Sequence, residues 1–349
     1  MRYGVSGENM LERAFLASGM APRGVLEGYS PAFARAVVLA TEHGVFETLA
    51  ASPHSSDAVA AACHLDPRAT KKLLDLLVAM RYLRVRAGEY RLARHVRRWL
   101  LADRPRSLRD AVLMERVEWH WIEGLDSFVQ DGRSLEVHEG LSSDDWARYQ
   151  GGMRALAGML APLLVRAVPV PKGARSMLDI GGSHGFFSVS LCRRHPELRA
   201  TVLDLPSAVE QSAPLLEREG MGDRVIMQAG DALIDDLGES VYDLVLLCNV
   251  VHHFDDAANR TLAEKSARAL RPGGVLVIAE FFRKDRGKVD QWAAFFDLYF
   301  ALSNQVGTWR LGEMAGWQRA AGLVPRKPIR LRLARGFGLQ VADKPLVSS

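Results

Sequence analysis

Two adjacent imidazoles, His252 and His253, end the apolar run LLCNVV and are followed by Asp255 and Asp256. Histidine titrates near neutral pH, so such a pair could bind a metal ion or supply a general base. Neighbouring residues on one backbone rarely point at a common ion, and the chain has no HExxH-like spacing, so we expect no metal site. The two aspartates are predicted to cap the helix that begins there. The role of the pair depends on the elements that position it.

Short apolar runs alternate with helical segments after residue 173, and they read SMLDI, ATVLDL, RVIMQ, YDLVLLCN and GVLVIAEF. Continuous apolar strands that alternate with helices predict a parallel sheet covered on both faces. The segment PRKPIRLRLARGFGLQVADK predicts two more strands, added antiparallel at the edge. Ligands of such sheets bind beyond the carboxyl ends of the strands, and the histidine pair follows one of those ends.

A glycine-rich turn follows the first of these strands, in LDIGGSHGFFS at residues 178–188. Gly181, Gly182 and Gly185 let the backbone approach a ligand closely and place a helix N-terminus beside it. A dinucleotide fingerprint requires Gly-x-Gly-x-x-Gly, and Ser183 occupies its second glycine position. The pattern that remains is Asp-x-Gly-x-x-x-Gly, which starts at Asp179 and disfavours a nicotinamide cofactor.

Three acidic residues fall at or near the ends of successive predicted strands, Asp179, Asp204 and Asp231. An acid about 20 residues after the glycine turn, as Asp204 is, can accept hydrogen bonds from both hydroxyls of a ribose. Asp231 could accept from an adenine amino group. Each aspartate alone could be a helix cap or turn residue, but their coincidence at three strand ends favours a nucleoside-like ligand.

The ordered set of motifs resembles the S-adenosylmethionine-dependent O-methyltransferases of the plant caffeate and bacterial polyketide type. LDIGGSHG resembles the family's first motif, VLDLP its ribose-binding acid, GD its adenine-side acid, and LLCNVVHHFDD and LRPGGVLVIAEFF its later strands. The resemblance implies an α/β fold, a Rossmann-like methyltransferase domain with an N-terminal, mainly helical winged-helix dimerisation domain. It also implies S-adenosylmethionine as cofactor and S-adenosylhomocysteine as product. The implied cofactor-binding residues are Asp179, Gly181, Gly182, Gly185, Asp204, Leu205, Asp231, Ala232, Cys248 and Asn249.

The same resemblance implies the catalytic residues. His252 stands at the position of the family's base, and Glu280 matches an acid that holds the imidazole in place. Three positions depart from the family. His253 stands where an Asp is usual and is expected to be structural or to orient substrate. Thr308 aligns with a second acid, and Cys248, which could also be a simple buried thiol, stands where plant members have Lys. His253 and Thr308 leave open a C- or S-methyltransferase, or a relative that binds the cofactor without transferring methyl.

The acceptor pocket is expected between the helical segment before residue 168 and the segment QWAAFFDLYFALSNQ. Ordinary packing is the alternative for aromatic and Met residues at helical spacing. An aromatic pocket suggests a planar small molecule as acceptor. The candidate substrate residues are His253, Tyr299, Ser303, Trp119, Tyr149, Met153 and Phe282, with Trp121 as a further aromatic neighbour.

The N-terminal third reads as several short helices followed by a hairpin in LRVRAGEYRLA, a winged-helix arrangement. VPVPKGA at 168–174 concentrates Pro and Gly and is the best linker candidate. We therefore expect a dimerisation domain at 1–105, a helical linker contributing to the substrate pocket at 106–172 and a catalytic domain at 173–349. In the family the first of these forms a homodimer. Arg68, Lys71 and Lys72 also permit a DNA-binding regulator, an alternative disfavoured because the same helices can serve dimer packing.

Composition limits the other possibilities. The chain has 349 residues and 48% hydrophobic content, enough for a sizeable core. Its 45 basic and 41 acidic residues are interspersed and leave a net charge of only +4, so no nucleic-acid partner is expected. Three widely separated cysteines suggest neither disulfides nor a zinc site. The absence of a long apolar run predicts no membrane partner and a cytoplasmic location.

Overall fold

The computed structural model describes residues 4–135, 137, 140–284, 289–304 and 306–346. The chain forms two compact units, Met1–Arg116 and Val117–Ser349. The first unit contains helices α1 to α8 and strands β1 and β2, and α8 continues into the second unit. Their bounds are α1 Met10–Ala17, α2 Arg23–Glu27, α3 Ser30–Glu42, α4 Val45–Ala51, α5 Ser56–Ala62, α6 Pro67–Ala79, β1 Leu83–Arg86, β2 Glu89–Leu92, α7 Arg94–Trp99 and α8 Arg109–Glu123.

The hairpin predicted for the first unit is confirmed. β1 and β2 pair antiparallel, and a two-residue turn of positive φ at Ala87 and Gly88 joins them, a geometry that matches the twist of the strands. Helix α6 starts at Pro67 because the Asp66 carboxylate accepts from the Ala69 amide at 2.7 Å. Buried residues of α4, α6, α7 and β1 belong to one core, which includes Phe46, Leu49, Leu74, Leu77, Leu83 and Val96.

The second unit is an α/β structure around a single large sheet. Its elements are α9 Leu125–Asp131, α10 Ser143–Ala167, β3 Ser176–Ile180, α11 Phe186–Arg194, β4 Arg199–Asp204, α12 Pro206–Glu217, β5 Val225–Ala229, β6 Tyr242–Cys248, α13 Asp256–Ala269, β7 Leu270–Arg283, α14 Gln291–Asn304, β8 Trp309–Arg310, α15 Leu311–Ala320, β9 Val324–Pro325, β10 Ile329–Arg330 and β11 Phe337–Asp343. Short 3₁₀ turns lie at Gly222–Arg224 and Val251–His253.

The strand order is β10-β11-β7-β6-β3-β4-β5, with β8 on β7 and β9 on β11. Strands β3, β4, β5, β6 and β7 pair parallel with one another, whereas β11 runs antiparallel to β7, as the sequence predicts. Alternate residues of β6 enter two different cores, Leu244 and Leu246 on one face and Val245 and Leu247 on the other. Burial on both faces explains why this strand reads as a continuous apolar run.

The register of the sheet brings the candidate site to one edge. Ile180 at the end of β3 lies opposite Leu203 of β4 and Leu247 of β6, and Cys248 lies opposite Ala279 of β7. The residues that follow these positions are the glycine turn, Asp204, the histidine pair and Glu280. Among the described helices, none is long and apolar enough to cross a membrane.

Candidate active site

In the turn between β3 and α11, neither Gly181 nor Gly182 has room for a side chain. A Cβ added at Gly182 would lie 2.7 Å from Asp179 Cγ and 2.7 Å from Val202 Cγ1. Gly185 is the N-cap of α11 with φ 68°, a left-handed conformation that glycine adopts without cost. The turn therefore presents bare backbone beside a helix N-terminus, a surface suited to a polar or anionic group.

Asp179 lies beneath this turn and is fully buried. Its Oδ2 accepts from the Ser188 hydroxyl at 2.6 Å, while its Oδ1 is buried and has no hydrogen-bond partner among the described residues. Burial raises the pKa of Asp179 to about 7, although the Ser188 hydroxyl opposes the shift. An orphaned buried carboxylate oxygen beside a bare backbone turn is expected where a ligand supplies the missing donor.

Asp204 at the end of β4 is tied to the turn. Its Oδ2 accepts from the Ser183 amide at 2.7 Å, and its Oδ1 accepts from the Leu205 amide at 2.8 Å. Burial raises the pKa of Asp204, and these two amides oppose that shift. The Ser183 hydroxyl in turn lies 2.5 Å from Oε1 of the buried Gln150 on α10. The carboxylate predicted to bind a ribose is thus held by backbone, which fixes its direction.

The other predicted cofactor residues surround the same edge. Asp231 and Ala232 are half-buried in the turn after β5, and Leu205 is exposed. Asp231 Oδ1 accepts from the Leu233 amide at 2.8 Å. One of its oxygens therefore caps the turn, which is the structural role that competes with adenine binding. Burial raises the pKa of the Cys248 thiol well above its usual value.

Asn249 follows β6 in an unusual conformation. Its φ of 55° is left-handed, and its side-chain Oδ1 is buried without a hydrogen-bond partner among the described residues. Asparagine tolerates this backbone better than most residues, and strained positions of this kind concentrate at functional sites. Asn249 Oδ1 and Asp179 Oδ1 are two unmet acceptors at the ends of the adjacent strands β6 and β3.

His252 and Glu280 form a buried pair. Nδ1 of His252 lies 2.8 Å from Oε2 of Glu280, and Oε1 of Glu280 accepts from the Phe281 amide at 2.8 Å. Both side chains are almost completely buried. Burial lowers the pKa of His252, so the imidazole is neutral at rest. Burial also raises the pKa of Glu280, but the Phe281 amide that donates to its side chain opposes this shift and favours the carboxylate. A carboxylate on Nδ1 favours the tautomer with its proton there, which leaves Nε2 able to accept a proton.

The short turn that carries His252 is fixed through its backbone. The Val251 carbonyl accepts from the Asn259 side-chain amide at 2.9 Å and from the Trp309 indole at 2.9 Å. Asn259 also donates to the Phe254 carbonyl at 2.9 Å. Three hydrogen bonds from two side chains thus hold the turn on either side of the pair.

His253 belongs to a different hydrogen-bond chain from that of His252. Its Nδ1 lies 2.8 Å from Asn304 Oδ1, the Asn304 amide donates to Ser303 Oγ at 2.9 Å, and Ser303 Oγ donates to the Phe300 carbonyl. Because the nitrogen of the Asn304 side chain donates to Ser303, its Oδ1 faces His253 and can only accept. The proton of this hydrogen bond is therefore on Nδ1 of His253. The two imidazoles, with ring centres 4.3 Å apart, are therefore held by different partners.

Aromatic rings of α14 and β7 pack around His252. Phe300 stacks on His252 with ring centres 3.7 Å apart and an interplanar angle of 3°. Phe281 stacks on Phe296 at 3.8 Å and also contacts Phe300. Phe282, the predicted substrate residue of this strand, instead packs in the core on the opposite face of the sheet. The ring of β7 that faces α14 is therefore Phe281, since adjacent strand residues point to opposite faces.

The remaining predicted acceptor residues lie on α8, α10 and α14. The Tyr299 hydroxyl donates to Glu118 Oε1 at 2.7 Å, and the Trp121 ring contacts both Tyr149 and Tyr299. Ser303 is buried, and Trp119 and Met153 are half-buried. The aromatic members Trp121, Tyr149 and Tyr299 thus form one cluster.

Thr308, which aligns with the family's second acid, is buried and bonded to α14. Its amide and hydroxyl both donate to Asp297 Oδ1, at 2.8 and 2.7 Å. Its observed contacts therefore lead to a neighbouring aspartate rather than to His252. Across the described part of the chain, no group of three or more His, Cys, Asp or Glu side chains is placed to hold a metal ion, and all three cysteines are free.

Comparison with known proteins decides the family. Residues 106–318 match the sequence profile of the O-methyltransferase domain, and residues 30–102 match that of the O-methyltransferase dimerisation domain. The chain belongs to the O-methyltransferase family. It is an S-adenosylmethionine-dependent methyltransferase that carries the family's dimerisation domain. The predicted family, fold class and cofactor are confirmed, and membership disfavours a DNA-binding regulator.

Two curated relatives and one solved structure align with most of this chain. It is 28% identical over 307 residues to a 3-hydroxy-5-methyl-1-naphthoate 3-O-methyltransferase of Streptomyces sahachiroi, covering 83% of this chain and 86% of that protein. It is 28% identical over 256 residues to the N,N-dimethyltransferase OxyT of Streptomyces rimosus, covering 70% and 74%. The structure of human N-acetylserotonin methyltransferase with its cofactor shares the fold, with a TM-score of 0.81, 21% identity and coverage of 98% and 99%.

Several residues of this methyltransferase site are not evident from the sequence. Gln150, Phe281 and Glu118 belong to ordinary helical or strand patterns, and nothing in their spacing marks them. Asn304 lies in the segment QWAAFFDLYFALSNQ, which the sequence places at the acceptor pocket. The polar pair Ser303 and Asn304 at the end of this largely apolar segment is the one feature of the sequence that indicates Asn304.

Proposed function

We propose that this chain transfers a methyl group from S-adenosylmethionine to a hydroxyl of an aromatic or polyketide-like small molecule. The observation that carries the proposal is the buried pair of His252 and Glu280, joined at 2.8 Å beside the strand ends that carry the glycine turn and Asp204. The naphthoate O-methyltransferase relative adds support, since its name describes a methylated aromatic hydroxyl.

The residues at the strand ends fit the cofactor. Asp204 would accept from the ribose hydroxyls, Asp231 and Ala232 would meet the adenine, and the turn at Gly181, Gly182 and Gly185 would pass against the methionine part. Asp179 Oδ1 and Asn249 Oδ1, buried without partners in the described chain, are acceptors that the cofactor's donors could satisfy. The bound cofactor supplies an activated, positively charged methyl donor. Leu205 and Cys248 complete the proposed contacts.

His252 is proposed as the base. Its Nδ1 proton points at Glu280, so Nε2 can take the proton that the acceptor hydroxyl loses as its oxygen forms the new bond to carbon. Glu280 then stabilises the imidazolium, whose charge would otherwise be costly at a buried site. Phe300, stacked on the ring, limits its rotation. A positioned base of this kind contributes about 10² to 10⁴ in rate.

The other proposed features follow the family. Tyr299, Ser303, His253, Trp119, Tyr149 and Met153 are proposed to line the acceptor pocket, whereas Phe282, which packs in the core on the opposite face of the sheet, is not. The dimerisation domain is proposed to form a homodimer, within domain limits of 1–105, 106–172 and 173–349. Cytoplasmic location stays a prediction.

The test compares wild type with His252→Ala and with His195→Ala, which removes a half-buried histidine at the end of α11. Each protein is incubated with S-adenosylmethionine and a panel of phenolic, naphtholic and enolic acceptors, and products are identified by mass. We expect a mass gain of one methylene on an acceptor oxygen. His252→Ala should lose about 10²-fold or more of the rate, with cofactor affinity close to wild type, and His195→Ala should retain it. Unchanged turnover in His252→Ala, or methylation of carbon or sulfur only, would contradict the proposal.

A further inference from the structure

A carboxylate lies among the aromatic rings of the predicted acceptor pocket, and the base does not require it. We define the Glu118 cluster as Glu118 in the C-terminal half of α8 together with Trp121, Tyr149 and Tyr299. The Trp121 ring centre lies 5.5 Å from that of Tyr149 and 6.2 Å from that of Tyr299. Glu118, Tyr149 and Tyr299 are each only partly buried.

The cost of burying the Glu118 carboxylate is only partly offset by its hydrogen bond. Its Oε1 accepts from the Tyr299 hydroxyl at 2.7 Å, and among the described residues no second donor meets the carboxylate. Burial raises the pKa of Glu118 and the Tyr299 hydroxyl opposes the shift, but no cationic side chain of the described chain offsets the burial. A carboxylate held in aromatic surroundings without a cation gains most from a ligand that brings one.

The neighbouring rings favour the same kind of ligand. Aromatic faces attract a cation placed within about 6 Å of the ring centre, and ammonium groups are recognised in this way. Helix α14 also connects the cluster to the base, because Tyr299 is followed by Phe300, whose ring lies 5.9 Å from Tyr299 and 3.7 Å from His252. One acceptor molecule could therefore meet both groups.

We propose that Glu118 and the surrounding rings bind a protonated amine substituent of the acceptor, and so select aromatic acceptors that carry an amine away from the methylated hydroxyl. This inference rests on the proposed function. A neutral hydroxyl substituent is the competing ligand, and a purely structural bond between Glu118 and Tyr299 is the competing role. Both appear as outcomes of the test.

The test uses the full chain saturated with S-adenosylhomocysteine and three probes of one shape: tyramine with an amine, tyrosol with a neutral hydroxyl, and 4-ethylphenol with neither. Binding is measured by titration calorimetry. We expect tyramine to bind about 10- to 100-fold more tightly than 4-ethylphenol, as a charge-assisted hydrogen bond with aromatic contacts implies. Glu118→Gln should abolish the ratio and Tyr299→Phe should reduce it. Glu123→Gln, an equal charge change at a mostly exposed side chain of the same helix, should leave it intact.

Equal or undetectable binding of tyramine and 4-ethylphenol by wild type overturns the proposal, without reliance on any variant. Equal binding of tyramine and tyrosol, or a ratio that survives in a folded Glu118→Gln protein, overturns it as well. Methyl transfer to the same probes, followed by mass, separates the two proposals. Transfer to phenols without amine preference removes only the amine site, whereas amine-selective binding without transfer to oxygen removes only the proposed function.

Discussion

Replacing Glu280 by Gln tests the chemistry of the buried pair directly. In the native site Oε1 accepts from the Phe281 amide and Oε2 faces His252 Nδ1. A glutamine in the same place keeps its oxygen on the Phe281 amide, because only the oxygen can accept. Its amino group must then face Nδ1, which favours the imidazole tautomer with the proton on Nε2. The variant therefore loses both the stabilising charge and the lone pair that takes the acceptor's proton.

The expected loss follows from what a general base contributes. The rate should fall by about 10² to 10⁴, equivalent to about 2.7 to 5.4 kcal/mol of transition-state stabilisation. The assay is single-turnover transfer from methyl-labelled S-adenosylmethionine to the best acceptor of a phenol panel, with cofactor affinity measured separately. Glu264→Gln, at an exposed position of α13, is the matched control and should be unchanged. A folded Glu280→Gln protein with nearly wild-type rate would refute the assignment of the pair.

Two further changes test the glycine turn. Gly182→Ala should weaken cofactor binding and destabilise the fold by about 1 to 3 kcal/mol, because its Cβ would overlap Asp179 and Val202. Gly158→Ala on α10 should have neither effect, because the nearest side-chain atom to its Cβ would be Arg154 Nη1 at 3.6 Å, an ordinary contact distance. Equal effects of the two changes in calorimetry and urea titrations would contradict this. Burial lowers the pKa of His184 to about 3. Below about pH 6.5 the unfolded chain therefore binds one more proton than the folded chain. The free energy of unfolding falls as the pH falls toward 3, by at most about 1.4 kcal/mol per pH unit. His184→Asn should make the urea midpoint less dependent on pH between 5 and 7, and an unchanged slope would count against a neutral buried ring.

The sheet and its ligand-facing edge could be predicted because their determinants are local. β6 is buried on both faces and therefore continuously apolar, and acids at strand ends are recognisable by position alone. Phe281 and Phe282 show where this fails: both are aromatic, they are adjacent, and only the register of β7 decides which faces α14. Glu118 could not be found because its significance depends on Tyr299, which lies far away in sequence and meets it only through tertiary packing.

The attachment of Thr308 to Asp297 has a consequence for how acceptor choice can change. Asp297 of α14 binds Thr308 in the loop before β8, and Trp309 at the start of β8 binds the turn that carries His252. Phe300 of α14 stacks on the same histidine. These contacts form a closed ring, so substitutions at its members displace the base. Tyr299 lies outside the ring on the same helix and is proposed to line the acceptor pocket. We therefore expect mutation of Tyr299 to change acceptor choice while the geometry around His252 is preserved.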